Sequence, residues 1–131
     1  MSKLFNENWM KRFQSEWNKD INLNNNTETS RWNLTIGYGF PEEGAPRGCI
    51  IMKNGHITEA GLYHGQTLDW DLRAKELHWK DWLNREVGSS SIGLAYTTGK
   101  LKFLSGDYWQ IVKNPTIKKS FIKGFSVMGR L

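Results

Sequence analysis

The residues best equipped for covalent chemistry are Cys49 and His64. They lie on two runs with strand character, where a thiol and an imidazole can meet across the ladder as nucleophile and base. A lone cysteine is far more often a small buried hydrophobe, and that reading of Cys49 is preferred. The three histidines, His56, His64 and His78, have no zinc-ligand spacing, and one cysteine supplies no second thiolate. Asp69 and Asp71 project to the same strand face, as a shared divalent cation would need. Alternating carboxylates also keep an exposed sheet face wet, and that is the preferred reading. The run GYGF, Gly37 to Phe40, is no phosphate loop, because no GK[ST] follows it and it lies inside a strand pattern.

Charge and aromaticity suggest a second kind of chemistry. Lysine and arginine number 18 against 13 acidic residues, a formal net charge of +5, and the chain carries seven tryptophans. A positive domain with aromatics on strands is the recipe for stacking on bases. Here, however, the strand aromatics share a face with Leu34 and Ile36, and the basic residues form no cluster. A nucleic-acid-binding module is therefore an alternative, and nucleic acid is not the favoured partner. The small hydrolase using Cys49 and His64 ranks third.

The 131 residues suit one domain, 1–131, large enough for a core without disulfide staples. The single cysteine fits a reducing compartment. No apolar run has the length of a membrane span, and MSKLFNENWMKRF has no continuous apolar segment like that of a signal peptide. The expectation is a soluble, cytoplasmic protein.

The elements that would position these residues follow from periodicity. Residues 4–20 predict a helix, with Phe5, Trp9, Phe13 and Trp17 on one stripe beside Met10. Asn22 to Ser30 reads as a polar loop. From Trp32 to Phe40 the even positions are apolar, a strand with one covered face. Pro41 to Pro46 is a turn. Strands at 47–53 and 56–64 flank Asn54-Gly55, the strongest short hairpin signal. LDWDLRA alternates again, and these four strands are expected to form an antiparallel meander. Residues 76–86 read as a helix with Leu77 or His78, Trp82 and Leu83 inward. SSSIGLAYTT holds a second helix, capped by a serine and ended by Gly99. A fifth strand follows, with Lys100 and Lys102 to water and Leu101 and Phe103 to the covered side. Asp107 is placed to cap YWQIVKN. Pro115 suits a first helical position, and the last helix carries Ile117, Phe121, Phe125 and Met128 on one stripe beside Lys118, Lys119 and Lys123.

The segment GKLKFLSGD, Gly99 to Asp107, resembles the signature of the sterol carrier protein type two family, G-K-L-K-x-x-G-[ND], with one extra residue before the second glycine. The family has a helix before this segment, as IGLAYTT is here, and one after it, as YWQIVKN is. Upstream it has a strand like WDLRAKE and a short helix like HWKDWLN. The match is best over 68–113 and agrees in element order along the rest.

The resemblance implies an α/β (α+β) fold. A five-stranded, mainly antiparallel sheet is covered on one face by helices, with an apolar cavity between them that takes sterols, fatty acyl chains or other lipids. It implies binding and transfer without catalysis and without a cofactor. The partners are a hydrophobic small molecule or lipid, transient contact with an anionic membrane surface through the basic last helix, and a partner enzyme for some members. At this length the chain would be free-standing. The terminal Gly-Arg-Leu is a poor peroxisomal address. Candidate ligand-binding residues are Leu83, Ile92, Ala95 and Tyr96 on the middle helices, Phe103 on the fifth strand, and Phe121, Phe125 and Met128 on the last helix. The seven tryptophans imply a smaller or reshaped pocket.

Overall fold

A computed structural model describes residues 3–24, 33–85 and 87–131. The polar loop expected at 22–30 lies outside them beyond residue 24, as does the start of the first strand run at Trp32. The order is α1 (Glu7–Asn24), β1 (Leu34–Gly39), β2 (Gly48–Lys53), β3 (His56–Leu62), β4 (Trp70–Arg73), α2 (Glu76–Asn84), α3 (Ser89–Thr97), β5 (Lys102–Ser105), α4 (Tyr108–Lys113) and α5 (Pro115–Met128).

The five strands form one sheet in the order β3-β2-β1-β4-β5. β1, β2 and β3 are an antiparallel meander, and β4 pairs antiparallel with β5. The four-strand meander is corrected at β4. This strand passes to the other side of β1 and pairs with it in parallel, Ile36 facing Trp70 and Tyr38 facing Leu72. A two-residue hairpin joins antiparallel neighbours only, so the long 63–69 connection is what permits the crossing. Asn54 and Gly55 turn the β2–β3 hairpin with φ of 52° and 82°, the left-handed pair that such a turn requires.

The apolar face of the sheet packs under helices. Ile36, Tyr38, Ile50, Met52 and Leu72 are buried there against α1 and α5. α1 begins later than its stripe suggests, because the Asn6 side chain accepts from the Trp9 N–H at 2.8 Å and caps the helix. Phe5 precedes the cap with φ of 64°, a costly conformation for a bulky residue. Its ring is completely buried among Trp9, Tyr38, Phe40 and Trp79, which holds it there. α1 is zipped to β3 by side-chain amides. Asn18 accepts from the Ile57 N–H and donates to its carbonyl, and Gln14 donates to the same carbonyl.

α2 turns Trp82 inward as expected, with His78 and Leu83 half-buried, but Trp79 and not Leu77 shares that side. Trp79 and Trp82 are buried and Leu77 is exposed. The Trp79 indole N–H reaches the Gly39 carbonyl at 2.9 Å, which satisfies both polar groups and fixes the helix rotation. α3 starts at Gly88 without a side-chain cap, so the serine cap is also corrected. Asp107 does cap α4, accepting from the Trp109 N–H at 2.9 Å.

The opposite face of the sheet is crossed by the β1–β2 and β3–β4 connections. A Cβ on Gly37 would meet Pro46 at 2.9 Å and Leu68 at 3.0 Å, so glycine is what lets both segments lie flat on β1. Under this cover Arg73 and Asp71 form a buried pair at 2.6 Å. Arg73 also donates to the carbonyls of Phe40 and Glu43, which ties the β1–β2 connection down.

Candidate functional site

The layer between sheet and helices is the candidate site. β1, β2 and β4 supply its floor, and α1 and α5 its roof. At its centre is an apolar void of ≈ 20 Å³, lined from the floor by Ile36, Tyr38, Ile50, Met52, Trp70 and Leu72. Phe13 and Trp17 of α1, and Ser120, Phe121, Gly124, Phe125 and Met128 of α5, complete the lining. That volume holds about one water molecule. Drug-sized ligands need roughly 300–1,000 Å³. The space between the layers is filled by the protein's own rings.

The filling is held in two ways. Trp17 is pinned, because its indole N–H donates to the Gly55 carbonyl at 2.8 Å. The Lys123 ammonium lies 5.7 Å from the Trp17 ring centre and pairs with Asp20 at 3.1 Å, joining α5 to α1. Phe121 and Phe125 have no polar tether, and Phe121 lies edge-on to Trp70 at 5.7 Å and to Phe125 at 5.4 Å. Between them α5 has its smallest residue, Gly124. A Cβ on Gly124 would touch only the end of Met128, at 4.0 Å, so the void borders a helix position with room to spare. Burial keeps the Tyr38 phenol protonated, its pKa raised by desolvation first and by Cys49 second.

A second concavity lies outside this layer, where the ends of α2 and α5 meet. It is an open cleft of ≈ 220 Å³ lined by Leu83, Asn84, Arg85, Val87, Phe125, Ser126, Gly129 and Arg130. Gly129 is fixed by close approach, since a Cβ there would lie 2.9 Å from the Leu83 carbonyl.

The eight expected ligand residues are spread over four places. Phe121, Phe125 and Met128 line the void, and Leu83 lines the outer cleft. Ile92 and Ala95 are buried core of α3. Tyr96 stacks on Tyr108 at 4.6 Å and meets Phe103 edge-on at 5.9 Å, in a satellite ring cluster that reaches the interior through Phe103 and Phe121. Sequence reasoning passed over the floor residues and the α1 pair. The signal lies in the alternation of Ile36 with Tyr38 and of Ile50 with Met52, which marks a covered face without saying what covers it.

Among the described residues the groups named for the other chemistries lie apart or are engaged elsewhere. Cys49 is buried and its thiol is pushed up to about 11 by desolvation and by Glu59, so it stays protonated and a poor nucleophile. His64 lies in an exposed turn with its backbone N–H held by Gln66. Asp71 is engaged by Arg73, and Asp69 accepts from the Thr35 N–H at 2.8 Å. Among the described residues no group of histidine, cysteine, aspartate and glutamate is placed to hold a metal ion. Of the described tryptophans only Trp109 is largely exposed, so the rings are spent on the core and not on a stacking platform. No helix among the described residues is long and apolar enough to cross a membrane.

No protein-family model matches the chain, and no curated protein does. Two solved structures match almost throughout. The crystal structure of sterol carrier protein 2 superimposes with a TM-score of 0.68 at 16% identity, over 94% of this chain and 97% of that one. The solution structure of a conserved hypothetical protein from Thermus thermophilus, described as a candidate sterol carrier protein, gives 0.69 at 16% identity, over 96% and 90%. The chain therefore has the sterol carrier protein fold from its first helix to its last.

Proposed function

We propose that this protein binds and transfers a hydrophobic ligand, a fatty acyl chain, sterol-like molecule or other lipid, in the layer between its sheet and its helices. The observation that carries the reading is the match of the whole chain to the sterol carrier protein 2 fold. The void beside Gly124 supports it, because its lining is mainly aliphatic and aromatic side chains. Binding takes apolar surface out of water at about 25 cal/mol per Å². It also displaces rings, each aromatic contact being worth about 0.5–1.5 kcal/mol. A ligand must therefore bury several hundred Å² to open the layer, which favours long chains over small solutes.

The reading needs neither cofactor nor catalytic group. It takes the chain as one cytoplasmic domain that meets anionic membrane surfaces in passing through Lys118 and Lys119 of α5, and that hands cargo to a membrane or an enzyme. Native mass spectrometry of the purified protein beside its denatured mass is the direct test. An added mass that extracts into organic solvent is the expected result. A bare protein that also fails to enhance the fluorescence of cis-parinaric acid, a polyene fatty acid bright only in apolar surroundings, would remove the proposal.

A further inference from the structure

The interior void and the outer cleft share one wall. Phe125 lines both, and its side chain is 2% exposed. We propose that the cleft between the ends of α2 and α5 is the portal through which a ligand reaches the interior, and that the Phe125 ring is its door. The inference rests on the reading of the interior as a ligand site.

Room decides which way the door moves. On its inner side the ring faces ≈ 20 Å³, too little for a phenyl group. Beyond it lies the cleft that Phe125 also lines, with ≈ 220 Å³. A change of rotamer therefore carries the ring outward, and the space it leaves joins void to cleft. Nothing polar opposes that motion. Trp17 and Trp79 are tethered to backbone carbonyls through their N–H groups, whereas the Phe125 ring has no polar atom to tether and packs against the rings of Trp79, Trp82 and Phe121. Gly124, the preceding residue, leaves the inner path clear for an incoming chain.

The cleft suits such traffic chemically. Leu83 and Val87 give it an apolar side, while the guanidinium groups of Arg85 and Arg130 stand exposed at its rim. These arginines pair with Asp81 at 3.1 Å and Asp20 at 3.6 Å, outside the cleft lining. An apolar chain slides along the first side while its polar end stays wet at the second. The ligand class is therefore an amphiphile with a slender chain.

Stopped-flow mixing with cis-parinaric acid tests the proposal. Phe125→Leu, which removes the ring's planar span but keeps an apolar filler, should speed uptake at least tenfold. Phe125→Ala should act in the same direction wherever its thermal midpoint shows it folded. Ser126→Trp, at an exposed position of the cleft, should slow uptake and release by the same factor of at least five, with equilibrium binding unchanged. That equal slowing is the mark of an obstructed path, and a change in packing of the bound state would not produce it. Parent-like rates in Ser126→Trp would overturn the portal, as would parent-like rates in both Phe125 variants, and in either case binding by the parent would leave the lipid reading standing. No uptake by the parent or by any variant would remove the door together with the site it serves.

Discussion

The two faces of the sheet are closed by different forces. On the inner face Phe13, Trp17, Tyr38, Trp79 and Phe125 meet side by side, and shape holds the layer. On the outer face the Asp71–Arg73 pair lies beneath the β1–β2 connection, and charge holds it. Ring packing tolerates exchange, because one apolar surface can replace another at similar free energy. A buried ion pair does not, because removing one partner strands the other. The contrast places adaptability on the side where cargo is proposed to sit and rigidity on the side that keeps the strands in register.

The largest effect should come from breaking the outer face. Asp71→Ala leaves the Arg73 guanidinium buried without its carboxylate and should cost about 3–5 kcal/mol in urea denaturation. Replacing both residues together, as Asp71→Leu with Arg73→Met, should recover most of that loss. A single variant within about 1 kcal/mol of the parent would show that charge does not hold this face.

The next effect is alkaline and falls on the same face. The Cys49 pKa is raised from 9.0 to about 11 by burial. Between those values the unfolded chain gives up its thiol proton and the folded chain keeps it, so stability must fall as pH rises from about 9. The loss through this group reaches about 3 kcal/mol at most. Denaturation at pH 8 and pH 10.5 should show a smaller difference in Cys49→Ala than in the parent. The raised Tyr38 phenol adds its own loss in both proteins.

Two inner-face variants sharpen the contrast. Trp79→Phe keeps a ring and loses the N–H that serves the Gly39 carbonyl, at a cost of about 1–3 kcal/mol. Gly124→Ala should act in the opposite sense. It fills part of the void without a clash and removes a helical glycine, stabilising by about 0.5–1 kcal/mol. The same methyl group should weaken lipid binding, so a variant with a higher thermal midpoint and a poorer grip on cis-parinaric acid is expected.

Much of this architecture is legible where local chemistry is decisive. Asn54-Gly55, the Asp107 cap and Pro115 at a first helical position each require a particular backbone, and each stands where the sequence predicts it. Long-range choices are less legible. Nothing in LDWDLRA says whether Trp70 faces Ile36 or a residue of β3, because alternation assigns a face and not a neighbour. Leu77 and Trp79 are both apolar, and the choice between them is made by a carbonyl forty residues away. Alternation predicts a wet face for Asp71, yet Asp71 and Arg73 are buried, since the segments that cover them come from other parts of the chain. The site suffers the same limit. The α5 stripe is visible as a stripe, while the void beneath it depends on the sum of many side-chain volumes.

The parallel pairing of β1 with β4 also bears on how the chain is made. By the time residue 62 has formed its strand, α1, β1, β2 and β3 can assemble as a local unit, with β1 as one border. That border stays open until β4 arrives, and an open strand edge is a template for any other strand. The central strand of the finished sheet is thus the exposed edge of the half-made one. We expect a fragment ending near residue 66 to associate through β1, with aggregation or dimer formation in sedimentation, while the full chain at the same concentration stays monomeric. Equal behaviour of the two would show that the open edge of β1 is no template for association.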